Sequence, residues 1–283
     1  MLLYLKYVFM KVFALTILFF LIIQSLKAQD EEGVTDQAFQ GTRFVNEQSV
    51  NLADKGELIL LIQHRFGEID GGFYELFGLD QATMRLGFEY GAGKNLNIGI
   101  GRSSFMKTYD AFIKARFATQ DNDFPLTIAA VVAGSLPTIR NTFPETEDNF
   151  SSKAAGNIQL LLGKTFGNVG LQVSPGFLST GYIPVKNQSL SFFTLGLAGS
   201  AKISDNVSAN IEYLPYFHSS LSASRPLSLG VDIKTGGHLF QLVLSNSQQF
   251  FTRGLYTSTS GDWGNGSLFL GFNLIRKFRI KYY

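Results

Sequence analysis

Between Ala82 and Tyr90 the even positions hold Ala, Met, Leu, Phe and Tyr, and the odd ones hold Thr, Arg, Gly and Glu. A period of two puts successive side chains on opposite faces, so the stretch predicts a strand that is greasy on one side and polar or small on the other. The pattern recurs over Leu96–Gly101, Val207–Tyr213 and Leu227–Lys234. Weaker versions cover Leu58–Phe66, Ala111–Thr119, Leu126–Ala133, Ile158–Phe166, Val169–Ser174, Phe193–Ala201, His238–Leu244 and Leu268–Leu274, twelve candidate strands in all.

The connections separate a barrel from a soluble sandwich. Short gaps (91–95, 120–125, 167–168, 202–206, 235–237) alternate with longer ones (67–81, 102–110, 134–157, 175–192, 218–226, 245–267). Outer-membrane barrels have an even strand number, tight periplasmic turns and longer external loops, and twelve strands that begin at the periplasm reproduce this order. Gly167-Asn168 and Gly236-Gly237 are suitable turn residues.

The one long apolar run, Val12–Ile23, is interrupted only by Thr16, is preceded by Lys6 and Lys11, and is short for the ~20 residues of a spanning helix. It reads as a signal peptide over residues 1–28, with Met10 as a second possible start, followed by a periplasmic segment 29–56 and a barrel 57–283. With Lys6, Lys11 and Lys27 removed, 24 − 3 = 21 basic residues face 22 acidic ones. That balance excludes a nucleic-acid partner. Charged residues are 16% of the chain, with 29 Gly, 27 Phe and 11 Tyr, which is unlike a soluble helical enzyme. The absence of Cys excludes disulfides, Cys-based metal centres and a lipidated N-terminal Cys.

If the apolar faces meet lipid, the lumen receives Arg65, Arg85, Lys114, Arg116 and Lys234 together with Glu89, Asp110, Glu212 and Asp232. Asn97, Asn157, Gln159, Gln172, Asn210 and Asn273 join them. The basic set on the first, second and fourth strands stands across from Glu212, Asp232 and Lys234, a disposition that sets selectivity if the lumen conducts. Near-balanced charges in a narrow interior can instead cross-link the walls. Phe66, Tyr90, Phe117, Phe166 and Tyr213 near strand ends suit interfacial girdles. The segment from Leu268 to Tyr283 looks like a closing strand read by the barrel-assembly machinery. Arg276 interrupts its apolar series, which calls for a bulge or a periplasmic extension.

His64-Arg65-Phe66-Gly67, Phe77-Gly78-Leu79-Asp80, Tyr90-Gly91 and Gly99-Ile100-Gly101-Arg102 resemble an outer-membrane β-barrel family of Bacteroidota catalogued as a domain of unknown function. The resemblance covers the first three strands and implies a barrel in the outer membrane, with no activity or site residues attached.

Chemistry is sparsely signalled. Gly99-Ile100-Gly101 lacks the third glycine of a dinucleotide loop, and Gly91-Ala92-Gly93-Lys94 is followed by Asn95 where a phosphate loop needs Ser or Thr. His64, His218 and His238 are scattered, so no metal or cofactor is expected. His218-Ser219-Ser220 offers a hydrolase pair, but neighbours on a strand face opposite ways. Acidic clusters Glu68, Asp70, Glu75, Asp80 and Glu145, Glu147, Asp148 read as solvated loops, with cation binding as the alternative. The expected function is a narrow channel or facilitator for small polar solutes, in contact with outer-membrane lipid and without enzymatic activity. The alternatives are a non-conducting structural or partner-binding barrel and, less favoured, a membrane-embedded lipid hydrolase.

Overall fold

The computed structural model describes residues 39–280 except 122, 141–148, 184–187 and 220. The signal peptide, the first part of the 29–56 segment, Glu145, Glu147, Asp148, Ser220 and the final Tyr282 and Tyr283 therefore lie outside the described residues. Alternation becomes an antiparallel meander: β1 (Glu57–Glu68), β2 (Ala82–Gly93), β3 (Leu96–Ser103), β4 (Tyr109–Ala118), β5 (Thr127–Leu136), β6 (Ala155–Phe166), β7 (Val169–Ile183) and β8 (Gln188–Ser204). It continues through β9 (Val207–Tyr213), the two-residue β10 (Tyr216–Phe217), β11 (Leu227–Thr235), β12 (His238–Ser245) and β13 (Phe269–Arg279). β1 pairs with β13, and β8 with β9, so the sheet closes on itself. Setting aside β10, which continues the wall beside β8 after Pro215, twelve strands form the barrel. Closure gives every strand two partners and leaves no open edge in the lipid, where an unpaired backbone group costs several kcal/mol.

The face assignment on β2 follows the sequence reading. Met84, Leu86 and Phe88 are 42–45% exposed on the outer face, whereas Arg85, Gly87 and Glu89 are buried inward. Twelve strands enclose more room than the eight whose side chains just fill their own interior, and either water or further chain must occupy the difference. The closed cylinder therefore sets up the arrangement found in its lumen.

One expectation is corrected and one is narrowed. The gap 175–192 is mostly strand, because β7 and β8 run on to Ile183 and back from Gln188, with Gly176↔Thr194 and Thr180↔Leu190 in register. Pro175, Gly176 and the Ser/Thr/Gly composition beyond them suggest a loop, but cross-strand pairing overrides local propensity. At 15 and 17 residues, these two strands exceed the ~9–11 needed to cross a membrane. Of the two accommodations expected for Arg276, a bulge or a periplasmic extension, the bulge is absent, because the ladder to β1 is regular from Arg65↔Gly271 to Glu57↔Arg279. Arg276 lies near the periplasmic turn at Gly236-Gly237, beside the His238 ring and over Phe278, with its guanidinium 5.1 Å from that ring.

Ile113→Arg, a charge on the outward face in the middle of β4, should lower barrel stability by about 2–4 kcal/mol, the cost of a lipid-facing charge near the midplane. A side chain at position 87 meets the Arg85 guanidinium instead, 2.5 Å from an added Cβ. Single-cysteine labelling in native membranes checks the register. A lipid-soluble maleimide should modify Leu86→Cys and spare Gly87→Cys, and the opposite result would reverse the inward and outward faces.

Candidate functional site: the occupied lumen

Residues 39–53 were expected in the periplasm. They lie instead inside the barrel, and Phe39, Phe44, Val45, Asn46, Glu47, Gln48, Ser49, Val50 and Asn51 are all less than a tenth exposed. The segment folds as a hairpin. Arg43 bridges Gln48, Ser49 N–H donates to Thr42 O at 2.9 Å, and Phe44 N–H donates to Glu47 O at 3.0 Å across the turn. Asn51 Nδ2 donates to Phe39 O at 2.9 Å, keeping the two arms together. The second arm leads through Asp54 and Gly56 directly into β1, so both arms open toward the periplasm and the tip points outward.

A hairpin of two short arms leaves most of its backbone groups unpaired, and inside a membrane barrel the wall must satisfy them. Lys114 Nζ donates to Thr42 O (3.0 Å), Gln48 Oε1 (3.0 Å), Ser49 O (3.3 Å) and Asn51 O (2.7 Å), with Glu89 Oε1 at 3.5 Å. At the tip, the Glu212 carboxylate accepts from Asn46 N–H (3.0 Å), Glu47 N–H (2.8 Å) and Asn46 Nδ2 (2.9 Å). A buried cation is thus surrounded by carbonyls and a buried anion by amides, the two arrangements in which a desolvated charge is tolerated.

Neutral side chains complete the grip. Gln172 accepts from Val50 N–H and donates to Gln48 O, both at 2.8 Å, while Gln241 donates to Phe44 O and Asn273 to Val45 O, both at 3.0 Å. Thr42 Oγ1 donates to Glu89 Oε2 at 2.8 Å, Gln159 Nε2 to Glu47 Oε1 at 2.7 Å, and Arg65 Nη2 to Asn46 Oδ1 at 3.0 Å. Phe39, Phe44 and Val50 pack on the inward Phe112, Ala129, Val131, Leu161 and Ala198.

The external end is covered as well. The connection between β12 and β13 dips inward and forms a helix, Thr252–Ser258, whose Leu255 and Tyr256 pack on Leu178, Leu190, Phe192, Leu214 and Tyr216. Tyr256 OH lies 3.5 Å from Glu47 Oε1, and Phe250 lies under the Arg65 guanidinium at 5.1 Å. Burial, with the nearby Glu47 adding to it, pushes the Tyr256 hydroxyl up, so it stays a neutral donor. A cavity of about 40 Å³ remains between lid and hairpin, edged by Arg43, Glu47, Asp110, Gln159 and Arg253. It has room for a few waters at most.

The charged residues singled out from sequence divide into five groups. Arg65 and Glu212 are brought together through Asn46. Arg85 pairs with Asp110 on the same arc of wall at 2.5 Å and also donates to Gln63 at 3.0 Å; Lys114 and Glu89 share the hairpin; Asp232 accepts from Gln241 at 2.5 Å. Arg116 and the exposed Lys234 belong to none of these contacts and stand toward the periplasmic end. The open constriction with facing basic and acidic walls is therefore corrected, because the hairpin fills the space between them. His64 stacks on Phe272 from the outer face, His218 is near Phe192, and His238 is beside Arg276. Among the described residues no group of three His, Asp or Glu could hold a metal.

Thr42, Asn46, Glu47, Gln48 and Asn51 went unnoticed in the sequence. Their trace is on the wall, in inward glycines. An added Cβ would be 2.8 Å from Val50 Cγ2 at Gly163, 2.1 Å from Glu47 Oε2 at Gly196 and 3.0 Å from Val45 Cγ2 at Gly230.

Residues 39–278 match the family described as Membrane bound beta barrel domain (DUF5777). The chain belongs to this family. The matched region begins at Phe39, the first described residue of the hairpin, so the hairpin is part of the domain and not a leader to it. No curated protein matches the chain. Among solved structures it is similar to the NanC porin, with 7% identity and a TM-score of 0.51 over 79% of this chain and 100% of that one. It is also similar to Acinetobacter baumannii Omp33 (9% identity, TM-score 0.39, 80% of this chain and 99% of that one). Family and fold together place the protein in the bacterial outer membrane, as a barrel of porin-like architecture.

Lys114→Met and Glu212→Gln should each destabilise the protein by about 3–5 kcal/mol, as expected when one side of a buried charged contact is removed. Arg116→Met should cost far less. Urea unfolding in detergent measures the difference, and trypsin should cut at Arg43 faster in the first two variants. Equal stability and equal cleavage in all three would show that these charges do not hold the hairpin.

Proposed function

We propose that the protein is a channel for small polar solutes that its own N-terminal hairpin closes at rest. The observation that carries this reading is where the wall's polar groups find their partners. Side chains from β1, β2, β4, β6, β7, β9, β12 and β13 bond to a segment joined to the wall only through residues 54–57. A barrel that serves only as structure can be filled by apolar side chains or by wall-to-wall pairs. A polar wall matched to a separable segment leaves a hydrated, solute-compatible lumen when that segment moves. The close packing of the lid over the hairpin at the external end favours the second reading, a non-conducting barrel.

In the favoured reading the protein is not an enzyme, which is supported by the dispersal of His64, His218 and His238 over the wall. The reading also includes delivery by the barrel-assembly machinery through β13, supported by that strand's closing position beside β1. Origin in Bacteroidota rests on the segments quoted above.

Planar-bilayer recording tests the channel. Wild type should be almost always closed, and removal of residues 39–53, alone or with loop 247–266 shortened, should give steady conductance. Val50→Cys with Gly163→Cys provides a lock. Val50 Cβ is 3.4 Å from the Cβ position at 163, close to the ~3.8 Å of a disulfide, and the chain has no cysteine of its own. Oxidation should abolish residual openings and reduction should restore them. Folded, hairpin-free barrels that stay silent would establish the non-conducting reading.

A further inference from the structure

On the outer face near the external end, a groove of about 540 Å³ crosses β2 to β6. Its position follows from register. The outward row Ile100–Ala111–Gly134–Gly156 is cross-strand paired over four strands, and three of its members carry a methyl group or less. The row below, Ile98–Ile113–Val132–Ile158, is bulky throughout and 43–56% exposed. Above stand Tyr109, Leu136 and Phe150, the last 73% exposed on a short helix, Phe150–Lys153. The groove thus has an aromatic upper wall, a floor that includes Ala111 and Gly134, and Leu86, Phe88 and Ile100 at its β2–β3 end, with the bulky row beyond it. Arg102 is at its upper rim, with its guanidinium 5.4 Å from the Tyr109 ring centre. Among the described residues Arg102 has no carboxylate partner, since the nearby Asp110 points inward to Arg85.

We propose that this groove binds lipid A, the phosphorylated, acylated lipid of the outer leaflet, with an acyl chain in the groove and a phosphate on Arg102. The occupant follows from location and charge. A depression in the lipid-facing wall is filled by the surrounding leaflet, and an apolar floor selects a hydrocarbon chain. An arginine at the aromatic interface level selects an anionic headgroup, because its planar fork matches phosphate. The inference is independent of whether the lumen conducts.

Full-length protein in detergent, titrated with lipid A or with neutral phosphatidylcholine and read by native mass spectrometry, tests this. Gly134→Leu with Gly156→Leu fills the groove without disturbing the fold, since an added Cβ meets nothing closer than 3.5 Å at 134 and 4.0 Å at 156. Wild type should retain lipid A about tenfold better than phosphatidylcholine, and the filled variant should lose about tenfold for lipid A. Arg102→Ser should weaken lipid A while leaving phosphatidylcholine unchanged. Leu242→Phe, on the outward face of β12, should change neither. Equal retention of both lipids by wild type, or unchanged lipid A binding in the filled and Arg102 variants, would overturn the proposal; migration of unboiled protein verifies that each variant is a closed barrel.

Discussion

Everything inside this barrel depends on the requirement that backbone polar groups removed from water find partners. The cylinder meets that requirement for its own wall by closing β1 onto β13. The enclosed hairpin cannot meet it alone, and Lys114 and Glu212 supply what it lacks, a cation among its carbonyls and an anion on its tip amides. Each charge is in turn acceptable in the interior because the hairpin solvates it. In the closed state wall and hairpin therefore satisfy each other, and only water could take the place of either partner.

The same dependence explains why the wall has such mixed chemistry. Where the hairpin presents backbone, the wall offers Gln172, Gln241 and Asn273; where it presents Phe39, Phe44 and Val50, the wall offers Phe112, Val131 and Leu161. Where it needs space, the wall has Gly163, Gly196 and Gly230. The external lid extends the interior once more, through Tyr256 above Glu47. A porin-like cylinder has thereby acquired the interior of a globular protein.

Strand positions and faces were legible because period-2 alternation is a local signal reinforced at every residue, as on β2 from Thr83 to Glu89. The inward placement of Arg65, Arg85, Lys114 and Glu212 followed from the same rule. The partners of these residues were not legible. Arg65 and Glu212 meet through Asn46, which is 19 and 166 positions away along the chain, and no periodicity marks the segment that contains it. A hairpin held by wall side chains needs no pattern of its own, so its sequence resembles an exported polar stretch. The upper halves of β7 and β8 were missed for a related reason, since their pairing is long-range and their Ser, Thr and Gly content is that of a loop.

The blind-ended geometry of the hairpin also fixes how it responds to mechanical load. Both arms open toward the periplasm, so tension applied to the chain ahead of Phe39 acts along the axis of the first arm. Its contacts would then break in sequence, beginning with Asn51 on Phe39 O, passing Lys114 on Thr42 O and reaching Glu212 at the tip last. Unzipping of this kind loads one bond at a time, whereas a tip pushed from outside would be resisted by the whole set in parallel. By this geometry a pull on the first arm would meet the hairpin's contacts one after another, and a push on the tip would meet them together.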